Sequence, residues 1–185
     1  MTREIKLGNK LVGDGHPAYV IAEIGINHNG DLEIAKQMIK AAAHAGADAV
    51  KFQTFQVDKL LNPLVFQENN SESNWVYDEL KKVEIDEEFH KKIKEKCVQL
   101  KIDFISSPFD TESLEIVSKY CDKIKIASSE ITNLPFLKEV GKYGKPVILY
   151  DASSKGAINH MNLAREILQR NKMTYLGKDS NIVIN

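Results

Sequence analysis

Residues 19–55 read YVIAEIGINHNGDLEIAKQMIKAAAHAGADAVKFQTF, two short apolar runs flanking a turn cluster and one amphipathic helix. Leu32, Ala35, Met38, Ile39, Ala42 and Ala45 recur at helical spacing and make a single apolar face. Asp31 stands where an N-cap accepts from the free backbone N–H groups of a helix start, and Gly46 where a helix ends in a left-handed residue. The stretch is a β-α-β unit, and such a unit implies a parallel sheet. Its strands carry charge: Glu23 near the end of the first, Lys51 within the second. Burying a charge without a partner is very costly. Two charged strand ends point to a site.

The pattern repeats down the chain. Tyr19–Ile24 and the run from Ala49 are the first two strands; Asp103–Ser107, Lys123–Ala127 and Pro146–Tyr150 read as three more. Between them, Asp86–Leu100 sets Phe89, Ile93, Cys97 and Leu100 on one helical face, and Asp110–Tyr120 turns Leu114 and Val117 inward. A further helix, capped by Asn133 or Thr132, carries Leu134, Leu137 and Val140 and ends at Gly144; Ile158–Gln169 is a fifth. Residues 1–18 form a short β-like or irregular lead-in, and Asn181–Ile184 could begin a sixth strand. Between Phe55 and Asp86 no strong periodicity stands out, and the segment holds the polar run Gln67–Asn74 and Trp75. A connection this long in a compact domain is often a functional lid.

Five strands alternating with five helices imply a parallel α/β sheet. The strand-to-helix connections are polar and sometimes long, while the returns at Gly46-Ala47 and Gly144-Lys145 are tight. That asymmetry belongs to a (β/α)8 TIM barrel, whose active site lies on the loops after the strands. An open doubly wound sheet shares the alternation, but no G-x-G-x-x-G follows the first strand, so its dinucleotide-binding form loses support.

Composition narrows the partners. A chain of 185 residues fits one domain, and its net charge of −1 argues against nucleic acid or a membrane surface. No apolar run approaches the roughly 18 residues of a transmembrane helix, and the start lacks the apolar core of a secretory signal. Cys97 and Cys121 lack metal-ligand spacing, and Cys97 falls on an apolar helix face as a buried free thiol. A cytoplasmic protein is expected.

Alternation along a strand puts Lys51 and Gln53 on one face, Val50 and Phe52 on the other. On the fourth strand Ile124 and Ile126 face the helices, leaving Lys125 inward. Two inward lysines at strand ends make a positive cleft suited to a phosphate or carboxylate; alternatively each pairs structurally with a glutamate. Glu23 and Glu130 are either those partners or acid–base groups, metal ligands or substrate hooks. Ser107, Ser128 and Ser129 stand in strand-end turns, where hydroxyls bind phosphate oxygens or simply close the turn. His28, with no second histidine nearby, reads as a loop residue rather than a metal ligand.

Together these strand ends resemble the sialic acid synthase family, which includes the synthases of N-acetylneuraminic, legionaminic and pseudaminic acids. The resemblance rests on Ala22-Glu23-Ile24-Gly25-Ile26-Asn27-His28-Asn29-Gly30, on Ala45 to Phe55, on Ser107-Pro108-Phe109-Asp110, and on Lys125 to Pro135. It runs from about residue 4 to residue 150 and implies condensation of phosphoenolpyruvate with an N-acylated amino sugar. The products would be a nine-carbon 2-keto sugar acid and phosphate. By the same resemblance Lys51, Ser107, Lys125 and Ser128 hold phosphoenolpyruvate, Gln53 contacts the amino sugar, and Glu23 and Glu130 are the acid–base carboxylates. A divalent metal, typically manganese, polarises the sugar aldehyde, and the family's two metal-binding histidines have no counterpart in this chain.

Two departures shape the expectation. Tyr150-Asp151-Ala152-Ser153 replaces the family's S-T-G-M, and the family continues past Asn185 through further barrel strands and a small antifreeze-like domain that serves its homodimers. The chain is therefore expected to supply about five β/α units of a barrel. The activity reading is a synthase. The alternative is a non-catalytic shorter paralogue that self-associates or docks on a full-length synthase. A related phosphoenolpyruvate–aldose condensing enzyme is a third reading, against which the N-H-N-G turn counts.

Overall fold

The computed structural model describes residues 4–62 and 71–148. The expected helix Ile158–Gln169, the run Asn181–Ile184 and the segment Tyr150–Ser153 lie outside the described residues. Residues 1–149 form one compact unit.

Five strands pair in parallel: β3 Ile21–Gly25, β4 Ala49–Thr54, β5 Asp103–Pro108, β6 Lys123–Lys125 and β7 Val147–Ile148. They stand in sequence order, each beside its predecessor. A doubly wound sheet reverses its order at a switch point; none occurs among the described strands, and the arrangement is α/β of TIM-barrel type. The helices α1 Leu32–His44, α4 Glu87–Leu100, α5 Thr111–Tyr120 and α6 Leu134–Lys142 cover one face. There Ala35, Ile39, Ile93, Leu114, Val117 and Phe136 pack on Val50, Phe52, Phe104, Ile124 and Ile126. Both cysteines are free and buried in this layer.

Each of these helices opens on an Asp or Asn that accepts from its own first turn. Asp31 takes Glu33 and Ile34 N–H, Asp86 takes Phe89, Asp110 takes Ser113 and Asn133 takes Phe136. Asn133, rather than Thr132, is thus the cap. Such caps leave the polar turns at one end of the sheet, where the strands finish. That end carries the charged residues.

The lead-in takes its β-like option, and two other expectations need correction. The lead-in is an ordered hairpin, β1 Glu4–Leu7 with β2 Lys10–Gly13. Its turn abuts β5, since a Cβ on Gly8 would lie 2.7 Å from Asp103 Oδ2. Between Phe55 and Asp86, where no periodicity stood out, the described residues include the single turn α2 Val57–Leu60 and the helix α3 Ser71–Lys82. Phe55, Val57 and Val83 bury against Ile26, Leu61, Tyr77, Leu80 and Phe109, and that second core anchors the insertion on the strand ends. Its apolar positions, spread over two short elements, are too few for one periodicity to emerge. The fourth strand stops at Lys125, because Ser128–Glu130 turns into a 3-10 helix, though Ile126 N–H still bonds Ile148 O at 2.9 Å.

Candidate functional site

Strand alternation sorts the residues. Val50, Phe52, Phe104, Ile124 and Ile126 lie in the helix-covered core, so Lys51, Gln53, Ile105, Ser107 and Lys125 take the opposite face. Register brings them level: Glu23 sits beside Lys51, and Gln53 beside Ser107. Lys51 is 3% exposed and its Nζ lies 3.1 Å from Glu23 Oε1, while the Glu23 side chain is 54% exposed. The buried lysine therefore has a glutamate partner, one of the two options that the sequence left open.

Burial pushes the Lys51 ammonium below its usual range; Glu23 offsets part of this, and the nearby Lys125 adds to the fall. Two like charges close enough to repel, with one carboxylate between solvent and the buried lysine, leave the site short of negative charge. Ser107 is fully buried and its hydroxyl has no hydrogen-bond partner among the described residues. Buried polar groups in folded proteins are nearly all bonded, so an orphan at a strand end calls for an explanation.

Glu23 is aimed by the backbone. The β3–β4 register shifts between Glu23 and Gly25, a bulge of the kind that redirects a side chain. Gly25 sits at φ +58°, and a Cβ there would lie 3.2 Å from Glu23 Oε1. Ser128 and Glu130 occupy the 3-10 turn after β6, where Asn133 Nδ2 donates to Glu130 Oε2 at 2.8 Å. No described contact joins Ser128 or Glu130 to the Glu23–Lys51 pair. The structure pairs Glu23 with Lys51, puts Lys125 on the same face and levels Gln53 with Ser107; Ser128 and Glu130 lie in the turn after β6.

The same face carries a second charged cluster at the opposite strand end. Lys123 is buried and donates to Asp103 Oδ2 at 2.7 Å, and the Tyr19 hydroxyl bonds the same oxygen. Burial and Asp103 together raise the Tyr19 phenol above its ordinary range. Sequence reading passed over Lys123, although alternation places it on the face of Lys125.

The burial of two histidines was also missed. His28 lies in the Asn27–Gly30 turn yet is fully buried, its ring 5.3 Å from Phe89 and 5.8 Å from Phe52. His90, fully buried on α4, donates from Nδ1 to Asp86 O at 2.7 Å and accepts at Nε2 from Thr54 Oγ1 at 2.8 Å. Ser106 Oγ completes the chain 2.7 Å from Thr54 Oγ1. His90 shares the spacing of Ile93 and Cys97, a signal that was present; nothing in the sequence marked His28 as buried. A cleft of about 590 Å³ opens on the helix side, lined by Gln56, Asp58, Lys81, Glu84 and Glu87 among others. It touches none of the inward-facing lysines and is separate from the candidate site.

A model of the NeuB family matches residues 38–176. Over 148 residues the chain is 43% identical to the N,N'-diacetyllegionaminic acid synthase of Legionella pneumophila, an overlap of 77% of this chain and 42% of that protein. The crystal structure of an N-acetylneuraminic acid (sialic acid) synthetase from Leptospira borgpetersenii, in complex with citrate, superimposes with a TM-score of 0.70 at 33% identity. It covers 93% of this chain and 57% of its own. A 3-deoxy-D-arabino-heptulosonate 7-phosphate synthase from Thermotoga maritima shares the fold alone, at 17% identity and a TM-score of 0.56. The chain thus spans less than half the length of the Legionella protein.

Proposed function

The chain belongs to the NeuB family, and from that membership we propose that it carries the phosphoenolpyruvate-binding side of a synthase that condenses this substrate with an N-acylated amino sugar. The products are a nine-carbon 2-keto sugar acid and phosphate. The observation that carries the reading is the Ser107 hydroxyl, buried and without a partner, on the face that also holds Lys51 and Lys125. A hydroxyl donor and two cations on one sheet face suit a polyanion. The relatives are named as synthases of legionaminic and neuraminic acids, and the Leptospira enzyme was crystallised with the polyanion citrate.

In this reading Lys51, Lys125, Ser107 and Ser128 hold the phosphate and carboxylate, and Gln53 orients the amino sugar. Carbon 3 of phosphoenolpyruvate attacks the sugar aldehyde and forms the new C–C bond as the C=O π bond opens. The aldehyde oxygen takes a proton from one carboxyl group of the acid–base pair to become a hydroxyl. The positive charge left at carbon 2 is stabilised by the Glu23 and Glu130 carboxylates, and the other of the pair takes a proton from the water that adds there. The C–O bond to phosphate then breaks, and phosphate leaves with its electron pair. The divalent metal that the resemblance implies, manganese, finds no fitting donor set among the described residues. Among the described residues no group of three or more His, Cys, Asp or Glu side chains could hold an ion. The steps above use this chain's side chains alone.

The reaction is assigned to the cytoplasm, with a second copy of the protein as partner. Among the described residues no helix is long and apolar enough to cross a membrane. The test is calorimetric titration of phosphoenolpyruvate into the protein as its source makes it, alongside phosphate release with and without N-acyl amino sugars. Lys51→Ala and Lys125→Ala should each abolish binding; binding retained in both overturns the assignment.

A further inference from the structure

His28 raises a question that the condensation chemistry does not answer. Gly30 N–H donates to its Nδ1 at 3.0 Å, so in the neutral ring the proton sits on Nε2, and Nε2 is buried with no acceptor among the described residues. A leucine in this place would fill the space between Phe52 and Phe89 without an orphaned donor. The imidazole supplies one bond that leucine lacks.

That bond closes a series of turns running straight out of the site. Asn27 N–H bonds Ile24 O, Asn29 N–H bonds Ile26 O, and Asp31 N–H bonds His28 O, at 3.0, 3.0 and 2.9 Å. Asn29 and Gly30 both take positive φ, +52° and +75°, and a Cβ on Gly30 would come within 2.2 Å of Lys82 O. The series begins at the Glu23–Gly25 bulge and ends at the Asp31 cap of α1. The ring that locks it also rests on Phe52, the residue after Lys51. One side chain thus contacts the segments that carry both members of the ion pair.

We propose that His28 is a positioning residue of the anion site: its imidazole pegs the turn after β3 against Phe52 and Phe89 and thereby holds the Glu23 carboxylate on Lys51. The proposal deepens the phosphoenolpyruvate reading and rests on it for its catalytic consequence, but the geometry it describes is independent of any ligand.

The test uses His28→Leu, which keeps the apolar fill and loses the acceptor, and His28→Asn, whose Oδ1 can accept Gly30 N–H in an Asx turn. Three quantities are read: hydrogen exchange at the Gly30 amide, the titration of the Lys51 Nζ by NMR, and kcat and KM for phosphoenolpyruvate. His28→Leu should speed Gly30 exchange about tenfold or more. It should also move the Lys51 titration downward, in the direction of Glu23→Gln, because a slackened Glu23 no longer supports the ammonium. kcat should fall more than KM rises, and His28→Asn should recover most of both. A leucine variant with faster exchange but an unmoved Lys51 titration overturns the proposal, since the turn would then loosen without reaching the pair. If His28→Leu does not fold, His28→Asn with wild-type exchange and a displaced Lys51 titration overturns it equally. A wild type that binds no phosphoenolpyruvate sinks the substrate reading, while the Lys51 titration still decides the positioning role.

Discussion

Lys51 and Glu23 lie 3.1 Å apart, yet the lysine is 3% exposed and the glutamate 54%. The pair is lopsided: one charge has lost its water and the other has kept it. Glu23→Gln should therefore destabilise the fold by removing the partner of a buried cation, by about 1–2 kcal/mol, below a fully buried pair because Glu23 is solvated. Urea unfolding at neutral pH reads this directly, and an unchanged midpoint would show that Lys51 is satisfied elsewhere.

A bound anion should repay the same deficit. Lys51 sits below its usual range in the folded chain, so between that lowered value and 10.5 the unfolded chain binds more protons, and stability rises with pH across the window. An anion beside Lys51 should shrink this pH dependence. At about one hundred times its dissociation constant phosphoenolpyruvate should add about 2.7 kcal/mol. Thermal melts with and without ligand test it, and Lys51→Ala should abolish the shift.

Ser107→Ala separates binding from stability. Its hydroxyl is buried and unpartnered among the described residues, so removing it should leave stability unchanged or raise it by up to about 1 kcal/mol. The same change should weaken phosphoenolpyruvate binding by roughly tenfold, the worth of one hydrogen bond to a charged group. Loss of stability with unchanged binding would place Ser107 in the framework instead.

Acid should loosen the helix-facing layer. Burial holds both His28 and His90 below the usual 6.5; His90 also disfavours charge on His28, while Asp86 and Glu87 only partly support His90. The unfolded chain takes up protons that the native rings refuse, so this contribution is whole above about pH 6.5 and is lost as the pH falls below it. His90→Gln, which keeps a partner for Thr54, should flatten the fall between about pH 7 and pH 5 in urea melts. A slope identical to wild type would assign the acid sensitivity to other groups.

Gly30→Ala should be among the most disruptive single changes in the turn. The positive φ alone costs about 1–3 kcal/mol for a side-chain-bearing residue, and the added Cβ meets Lys82 O at 2.2 Å, which requires α3 to shift. A calorimetric melting temperature within a degree or so of wild type would mean that the turn has a second conformation.

The β/α alternation, the helix cap at Asp31, the helix starts at Asp86 and Asp110, and the inward set Lys51, Gln53 and Lys125 were all legible in one dimension. Each depends on local rules: side chains alternate with period two in a strand, and an Asx residue bonds its own next turn. The motifs around Glu23 and Lys125 pointed to the family for the same reason, since residue types at strand ends are written contiguously. The ordered insertion was not legible, because its second core draws single residues from Ile26, Phe55, Val83 and Phe109, four places far apart in the chain.

Partnership was decided only by the tertiary structure. The sequence could offer Lys51 a ligand or a glutamate, and parallel register chose Glu23 by setting it level with Lys51 across β3 and β4. It could place His28 in a loop, but burial between Phe52 and Phe89 follows from α4 packing over that turn. Pattern is a property of neighbours along the chain. Whether a charge is paired, or a hydroxyl left without a partner, depends on distances between segments that only the closed packing sets.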